Sequence, residues 1–187
     1  MRPAQLLAAV WILWVASWVV AGLWSARTER RAGRREELTH RAITVAGFLL
    51  IVLWARRPPA WPVGDLVGWA LDGVAIAGFL FTWWARIHIG RLWSSAIVRK
   101  EGHRIIETGP YALVRHPIYT GLITALFATA IARARPTSLA GAAIATFGLW
   151  LKARTEERFL AKELGAEAYA AYRRRVPMLV PGWWVRG

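Results

Sequence analysis

Residues Ala4-Gln-Leu-Leu-Ala-Ala-Val-Trp-Ile-Leu-Trp-Val-Ala-Ser-Trp-Val-Val-Ala-Gly-Leu-Trp24 carry no charge over 21 positions. At about 1.5 Å per residue, a helix of that length crosses roughly 30 Å of hydrocarbon. The run is too long for a secretory signal, holds four Trp and lacks a small-residue cleavage site after it. It reads as a membrane span. Four more apolar segments follow, at about 66–85, 42–55, 118–132 and 139–151. The segment at 42–55 is short unless its helix extends into polar flanks. The last two are also short. The turn Arg133-Ala-Arg-Pro-Thr-Ser138 joins them as a helical hairpin, with a re-entrant hairpin as the alternative. The expectation is an all-α integral membrane protein of about five transmembrane helices, one membrane domain over 1–187, with three spans in 1–98.

Composition agrees with that class. The chain has 187 residues, 56% hydrophobic, with 13 Trp, too apolar for an ordinary soluble domain. It contains no Cys, which excludes disulfides, thiolate nucleophiles and Cys-ligated metals. His40, His88, His103 and His116 lack the HExxH spacing of zinc enzymes, so no metal is expected. The net charge of +14 lies in blocks between apolar runs, which is membrane topology and not a nucleic-acid surface. The same charge attracts anionic lipid headgroups.

Alternate loops carry 20 of the 25 Lys and Arg on one side and 5 on the other. The positive-inside rule then places the N-terminus outside and the C-terminus in the cytosol, which requires an odd number of spans. The Ala- and Arg-rich composition points to a GC-rich bacterial genome, hence a multi-pass protein of a bacterial inner membrane.

Other features are weighed individually. Pro58-Pro-Ala-Trp-Pro62 is a stiff outer connection. Asp72, inside the third span, contacts substrate or a proton path, or else hydrogen-bonds a neighbouring helix. Gly64 and Gly68 form a small-xxx-small pair. Most Trp are expected at the interface or facing lipid, with Trp83, Trp84 or Trp150 able to line an apolar pocket. The basic run over 27–41 reads as a headgroup-facing loop. The stretch 156–176 has apolar residues at helical spacing. It reads as an extension of the fifth span, interrupted near Gly165, that folds back as a lid or lies on the membrane.

Two polar clusters fall on the cytosolic side. The first holds Lys100, His103, Arg104, Tyr111, Arg115, His116 and Tyr119, with turn residues Gly109, Pro110 and Pro117. The second is Lys152-Ala-Arg-Thr-Glu-Glu157. Polar groups at this depth are usually kept for function. Cations and aromatic faces suit a ligand with a ring and an anionic end, and Glu156 and Glu157 suit its ammonium or ribose hydroxyls. A zwitterionic nucleoside meets both demands. No Gly-rich phosphate loop is present, so ATP is a poor fit.

Gly109-Pro-Tyr111, Arg115-His-Pro-Ile-Tyr119, Glu156-Glu157, Leu164-Gly165, Tyr169, Tyr172, Arg173-Arg-Arg-Val-Pro177 and His103-Arg-Ile-Ile106 together resemble the isoprenylcysteine carboxyl methyltransferase family of integral membrane enzymes. The resemblance covers roughly residues 99–181, in order, and makes 99–187 a methyltransferase core with an interfacial cofactor-binding loop and a cytosolic C-terminal helix. It implies S-adenosylmethionine as cofactor. Lys100, His103, Arg104, Ile105, Ile106, Tyr111, Arg115, His116, Pro117, Ile118, Tyr119, Glu156 and Glu157 would bind it. It also implies a cation one helical turn before Glu156 that holds the substrate carboxylate. Here that residue is Lys152, where eukaryotic members have Arg, with Arg154 as the alternative. The implied reaction is O-methylation of a lipophilic, prenylcysteine-like acid arriving from the bilayer. A thiol or a phospholipid amine is the alternative acceptor. An NADPH-dependent sterol-type reductase and a non-enzymatic lipid-binding or partner protein are the rival readings.

Overall fold

The computed structural model describes residues 2–53 and 57–182. Trp54 and Ala55 at the end of the second expected span, Arg56 and Arg186 lie outside the described residues. Among the described residues seven α-helices form: α1 (Pro3–Gly22), α2 (Arg34–Leu53), α3 (Asp65–Ile89), α4 (Pro110–Leu113), α5 (Pro117–Ala132), α6 (Pro136–Leu164) and α7 (Ala166–Arg175). Proline starts α1, α4, α5 and α6, where its fixed φ suits the first turn and its missing N–H costs nothing. Two short strands, β1 (Thr28–Arg31) and β2 (Val98–Lys100), pair antiparallel. The strands add a short ribbon to an otherwise helical chain. The run read as a headgroup-facing loop supplies β1 and the first turns of α2 instead.

α1 and the stretch Asp65–Leu92 are long and apolar enough to cross a membrane, and α5 is a shorter apolar helix. α2 does extend into its polar flank, beginning at Arg34. Ile12, Leu13, Val19 and Val20 on α1 and Leu66, Leu80 and Ile87 on α3 remain uncovered, a surface suited to hydrocarbon. The protein is a membrane protein.

Small residues let the helices approach closely. A Cβ on Gly121 would stand 2.4 Å from the Gly78 carbonyl oxygen, so α3 and α5 touch backbone to backbone. A Cβ on Gly47 would stand 2.4 Å from the Ala145 nitrogen, which joins α2 to α6 in the same way. Two apolar clusters result, one of Ile51, Leu126, Ala142 and Leu149, the other of Leu7, Ala75, Phe79 and Ala125. Trp11 and Trp14 turn inward and donate to Thr129 Oγ1 at 2.9 Å and Thr82 Oγ1 at 2.8 Å. Trp24, Trp61, Trp69, Trp84 and Trp150 stay exposed.

Chain directions alternate. α1 and α3 run the same way, since Pro3 packs on Gly68 and Arg86 binds the carbonyls of Ala21 and Trp24. α5 and α2 run opposite to their partners α3 and α6. At one end Ala60 N–H donates to Ala134 O at 2.8 Å, and Arg135 bonds Pro58 O. At the other end lie the ribbon, residues 90–116, the polar end of α6, and α7. Asp72 is buried at 2% exposure, and among the described residues neither carboxylate oxygen has a hydrogen-bond partner, so the bond to a neighbouring helix is not seen there.

Candidate active site

The turn before α5 is built by Gly109, whose φ of +58° is open to glycine at little cost. A Cβ there would also meet the His88 ring at 2.7 Å. His88 Nε2 lies 2.9 Å from Thr108 Oγ1, and its ring stacks on Tyr111. The chain then leaves α4 in an extended conformation. Arg115 N–H donates to Pro177 O at 2.9 Å, and His116 N–H donates to Met178 O at 3.1 Å. The segment after α7 therefore backs the turn, and His116 caps α5.

α6 carries the second cluster. Its apolar stretch ends at Leu151, and the polar continuation to Leu164 rises roughly 20 Å further. Glu156 and Glu157 project from its first turns toward His116. Glu157, 3% exposed, accepts from Arg115 Nε at 2.7 Å, lies 3.2 Å from His116 Nε2 and faces Arg173 Nε at 3.4 Å. Glu156 accepts from the Tyr119 hydroxyl at 2.7 Å and faces His116 Nδ1 at 3.6 Å, an ion-pair rather than a hydrogen-bond distance. Lys152 Nζ lies 3.8 Å from Glu156 Oε1, donates to Ser95 O at 2.9 Å and stands 5.3 Å from the Tyr119 ring centre. His116 and Tyr119 stack nearly parallel.

These contacts set the charges. Burial pulls His116 down, but the carboxylates of Glu156 and Glu157 outweigh it, so its pKa rises. Burial pushes Glu156 up, yet Lys152, His116 and the Tyr119 hydroxyl bring it below the usual carboxylate value. Burial likewise pushes Glu157 up, and His116 and Arg115 reverse the direction. Burial lowers His103, helped by Arg99. The arrangement thus favours the protonated imidazole and the ionised forms of the two carboxylates that flank it.

A cleft opens above this network. Residues 103–106, Tyr111, residues 115–119 and Glu156 all line it, so the structure brings eleven of the thirteen expected cofactor residues to one cavity. Tyr169 and Tyr172 of α7 close one side, and the Tyr172 hydroxyl donates to Tyr111 O at 2.8 Å. α7 therefore folds back over the loop.

Three expectations are corrected. Lys100 turns away and donates to Ala26 O and Thr28 Oγ1, both at 2.9 Å, stitching the ribbon. Glu157 lies behind the cleft as the clamp on Arg115 and His116. Arg154 sits on the outer face of α6 with its guanidinium 5.3 Å from the Trp150 ring. The tryptophan in the cleft wall is Trp93, while Trp150 lines a separate cavity on the outer side of α6. Lys152 lies at the cleft's margin, beside Glu156 and Tyr119.

Sequence reasoning missed the wall formed by residues 92–94 and 96–98. Its only signal was the apolar triplet Ala96-Ile-Val98 between charged stretches. It also missed Arg86. Arg86 is 0% exposed, bonds Ala21 O, Trp24 O and Gly90 O at 2.6 to 2.7 Å, and lies over the Trp24 and Trp93 rings. It seats the Trp93 wall against the end of α1.

The sequence model of the isoprenylcysteine carboxyl methyltransferase family matches residues 71–162. The match begins in α3, well ahead of the motifs that carry the resemblance. Methanethiol S-methyltransferase 2 of Bradyrhizobium diazoefficiens is 33% identical over 155 residues, covering 74% of this chain and 57% of that protein. Methanethiol S-methyltransferase of a Pseudomonas species is 31% identical over 154 residues, covering 71% and 54%. Protein-S-isoprenylcysteine O-methyltransferase B of Arabidopsis thaliana is 28% identical over 85 residues, covering 46% and 43%. The chain thus spans about half the length of the curated relatives it matches.

Proposed function

The chain belongs to the isoprenylcysteine carboxyl methyltransferase family, and from that membership we propose an S-adenosylmethionine-dependent membrane methyltransferase acting on a lipophilic thiol. The observation that carries the reading is Glu156, an ionised carboxylate facing a cleft walled by Trp93, Tyr111 and Tyr169. The residues fit the donor: a carboxylate for its cationic centre, aromatic and aliphatic walls for its ring. When bound, S-adenosylmethionine supplies a methyl group already activated on a sulfonium.

The chain's own residues do the rest. Glu157 holds Arg115 and His116 in place, while Glu156, aimed by the Tyr119 hydroxyl, faces the ligand. The walls exclude water, which strengthens each charge interaction inside. Lys152, fixed on Ser95 O at the cleft margin, favours an anionic acceptor atom. Catalysis is then chiefly positioning.

The acceptor class follows from Lys152. A compact ammonium suits a thiolate, whereas a carboxylate is better matched by the planar fork of an arginine. The two relatives with the widest coverage are named for a thiol. The second reading is a prenylcysteine-like carboxylate, which the Arabidopsis relative's name supports. The alternating helices and the 20-to-5 charge asymmetry support five crossings of a bacterial inner membrane, with one membrane domain and its cleft in the cytosol.

Calorimetry on the purified protein tests the donor. Binding of S-adenosylmethionine or its demethylated product is expected at micromolar strength, about −8 kcal/mol. Glu156→Ala and His116→Ala should abolish it with helix content unchanged. Saturable heat with NADPH and none with the nucleoside would overturn the assignment. Transfer of labelled methyl to alkanethiols, with none to prenylated thio-acids, separates the two acceptors.

A further inference from the structure

Arg154, turned away from the cleft, shares a second cavity of about 260 Å³ with Arg158 and Arg173. Phe147, Trp150, Arg154 and Arg158 follow one another at intervals of three and four residues, so they form one stripe along α6. The lower part of the stripe is apolar and uncovered, with Ile144 40%, Phe147 52% and Trp150 37% exposed. The upper part is cationic and begins just past Leu151, where the apolar stretch of α6 ends. Arg173 adds a third guanidinium from α7.

We propose that this cavity binds the headgroup of an anionic phospholipid. The three arginines supply paired donors for a phosphodiester, which guanidinium forks grip through two parallel bonds. The acyl chains lie along Ile144, Phe147 and Trp150. Trp150 marks the boundary between the two zones, with the Arg154 guanidinium over its ring. Carboxylates reach the cavity but leave it cationic. Glu36 stands 3.8 Å from Arg158, and Glu157, 3.4 Å from Arg173, is already shared with Arg115 and His116. A zwitterionic headgroup brings its own ammonium, which three arginines repel. The inference rests on the membrane placement of α6 and not on methyl transfer.

The test reconstitutes the full chain in nanodiscs of equal phosphatidylglycerol and phosphatidylcholine. The protein is then extracted in mild detergent, and the co-purified lipids are counted by mass spectrometry. Wild type should retain phosphatidylglycerol about tenfold over phosphatidylcholine. The pair Arg154→Gln and Arg158→Gln should bring the ratio close to that of the bilayer. Arg35→Gln with Arg174→Gln removes equal charge elsewhere and should keep the preference. Equal loss in both pairs means diffuse charge attraction and overturns the proposal. So does stripping of the phosphatidylglycerol by added inorganic phosphate, which would mark a free-anion site. S-adenosylmethionine binding in the same discs is read separately. Its absence beside an intact lipid preference would sink the proposed activity and leave this site standing.

Discussion

The Tyr119 hydroxyl donates to Glu156 Oε1 at 2.7 Å, tying the start of α5 to the polar end of α6 across 37 residues of chain. The bond aims the carboxylate that faces the cleft, and the stacked His116 ring holds Tyr119 in turn. Tyr119→Phe keeps the stack and removes only the bond. A hydrogen bond to a charged group contributes roughly 1.5–3 kcal/mol, so donor affinity should fall at least about tenfold. Glu156→Gln, which keeps the shape and removes the charge, should fall further. Calorimetry with the demethylated donor checks both. Unchanged affinity in Glu156→Gln would remove the carboxylate from donor binding.

The same network makes stability depend on pH in two opposite ways. His116 is raised, since the two glutamates outweigh burial, so its contribution is complete below the unfolded value of 6.5. That contribution is lost as pH climbs through the folded value. Glu157 is lowered, since His116 and Arg115 outweigh burial, so its contribution is present above 4.5 and is lost as pH falls through the folded value. Thermal unfolding in detergent should therefore show greatest stability between those two values. His116→Gln should flatten the alkaline decline. An alkaline limb that survives the substitution would show that another group titrates there.

Gly109 is constrained twice, by its positive φ and by the His88 ring. Gly109→Ala should destabilise by about 1–3 kcal/mol from the backbone conformation alone, with the clash in addition. Adding His88→Ala relieves the clash and leaves the backbone cost. The double variant should thus recover part of the loss, beyond what independent effects would predict. Chemical denaturation of the two single variants and the double variant measures this. Simple additivity would mean that His88 yields without strain.

How far the sequence could be read follows from the range of the interactions. The charge-free run of α1 needs no partner to be recognised, and the helix is there. The Arg115-His116 turn and Glu156-Glu157 were legible because each is a dense local cluster, and they do meet. Lys100 lies in a similar cluster, but its partners Ala26 and Thr28 are more than seventy residues away and draw it off the cleft. Arg154 and Lys152 are two residues apart on a helix and so face different ways; the i,i+4 spacing to Glu156 favours Lys152, and Arg154 stayed open only through the register of the resemblance. The strands are four and three residues long and carry no alternation to betray them. Trp11 and Trp14 turned inward because Thr129 and Thr82 offer acceptors, which hydrophobicity alone does not reveal.

Lys152 separates the two acceptor classes. A thiol is mostly protonated near neutral pH, with an ordinary value of about 8.5, whereas a carboxylate is already ionised. A cation within about 4–6 Å lowers the value of an acidic group by roughly 1–3 units. Lys152→Met removes that cation while Glu156 keeps its bond from Tyr119. If the acceptor is a thiol, the rising limb of kcat with pH, which reports the bound acceptor, should move upward by about one unit or more, and turnover at neutral pH should fall at least about tenfold. A carboxylate acceptor predicts a weaker KM with the limb unmoved, since nothing on that acceptor titrates there. Donor affinity, measured alongside, should change far less than in Glu156→Gln. A limb that stays in place while turnover on alkanethiols persists would show that Lys152 does not act on the thiol. The acceptor's proton would then have to be managed from within the His116 and Glu156 pair.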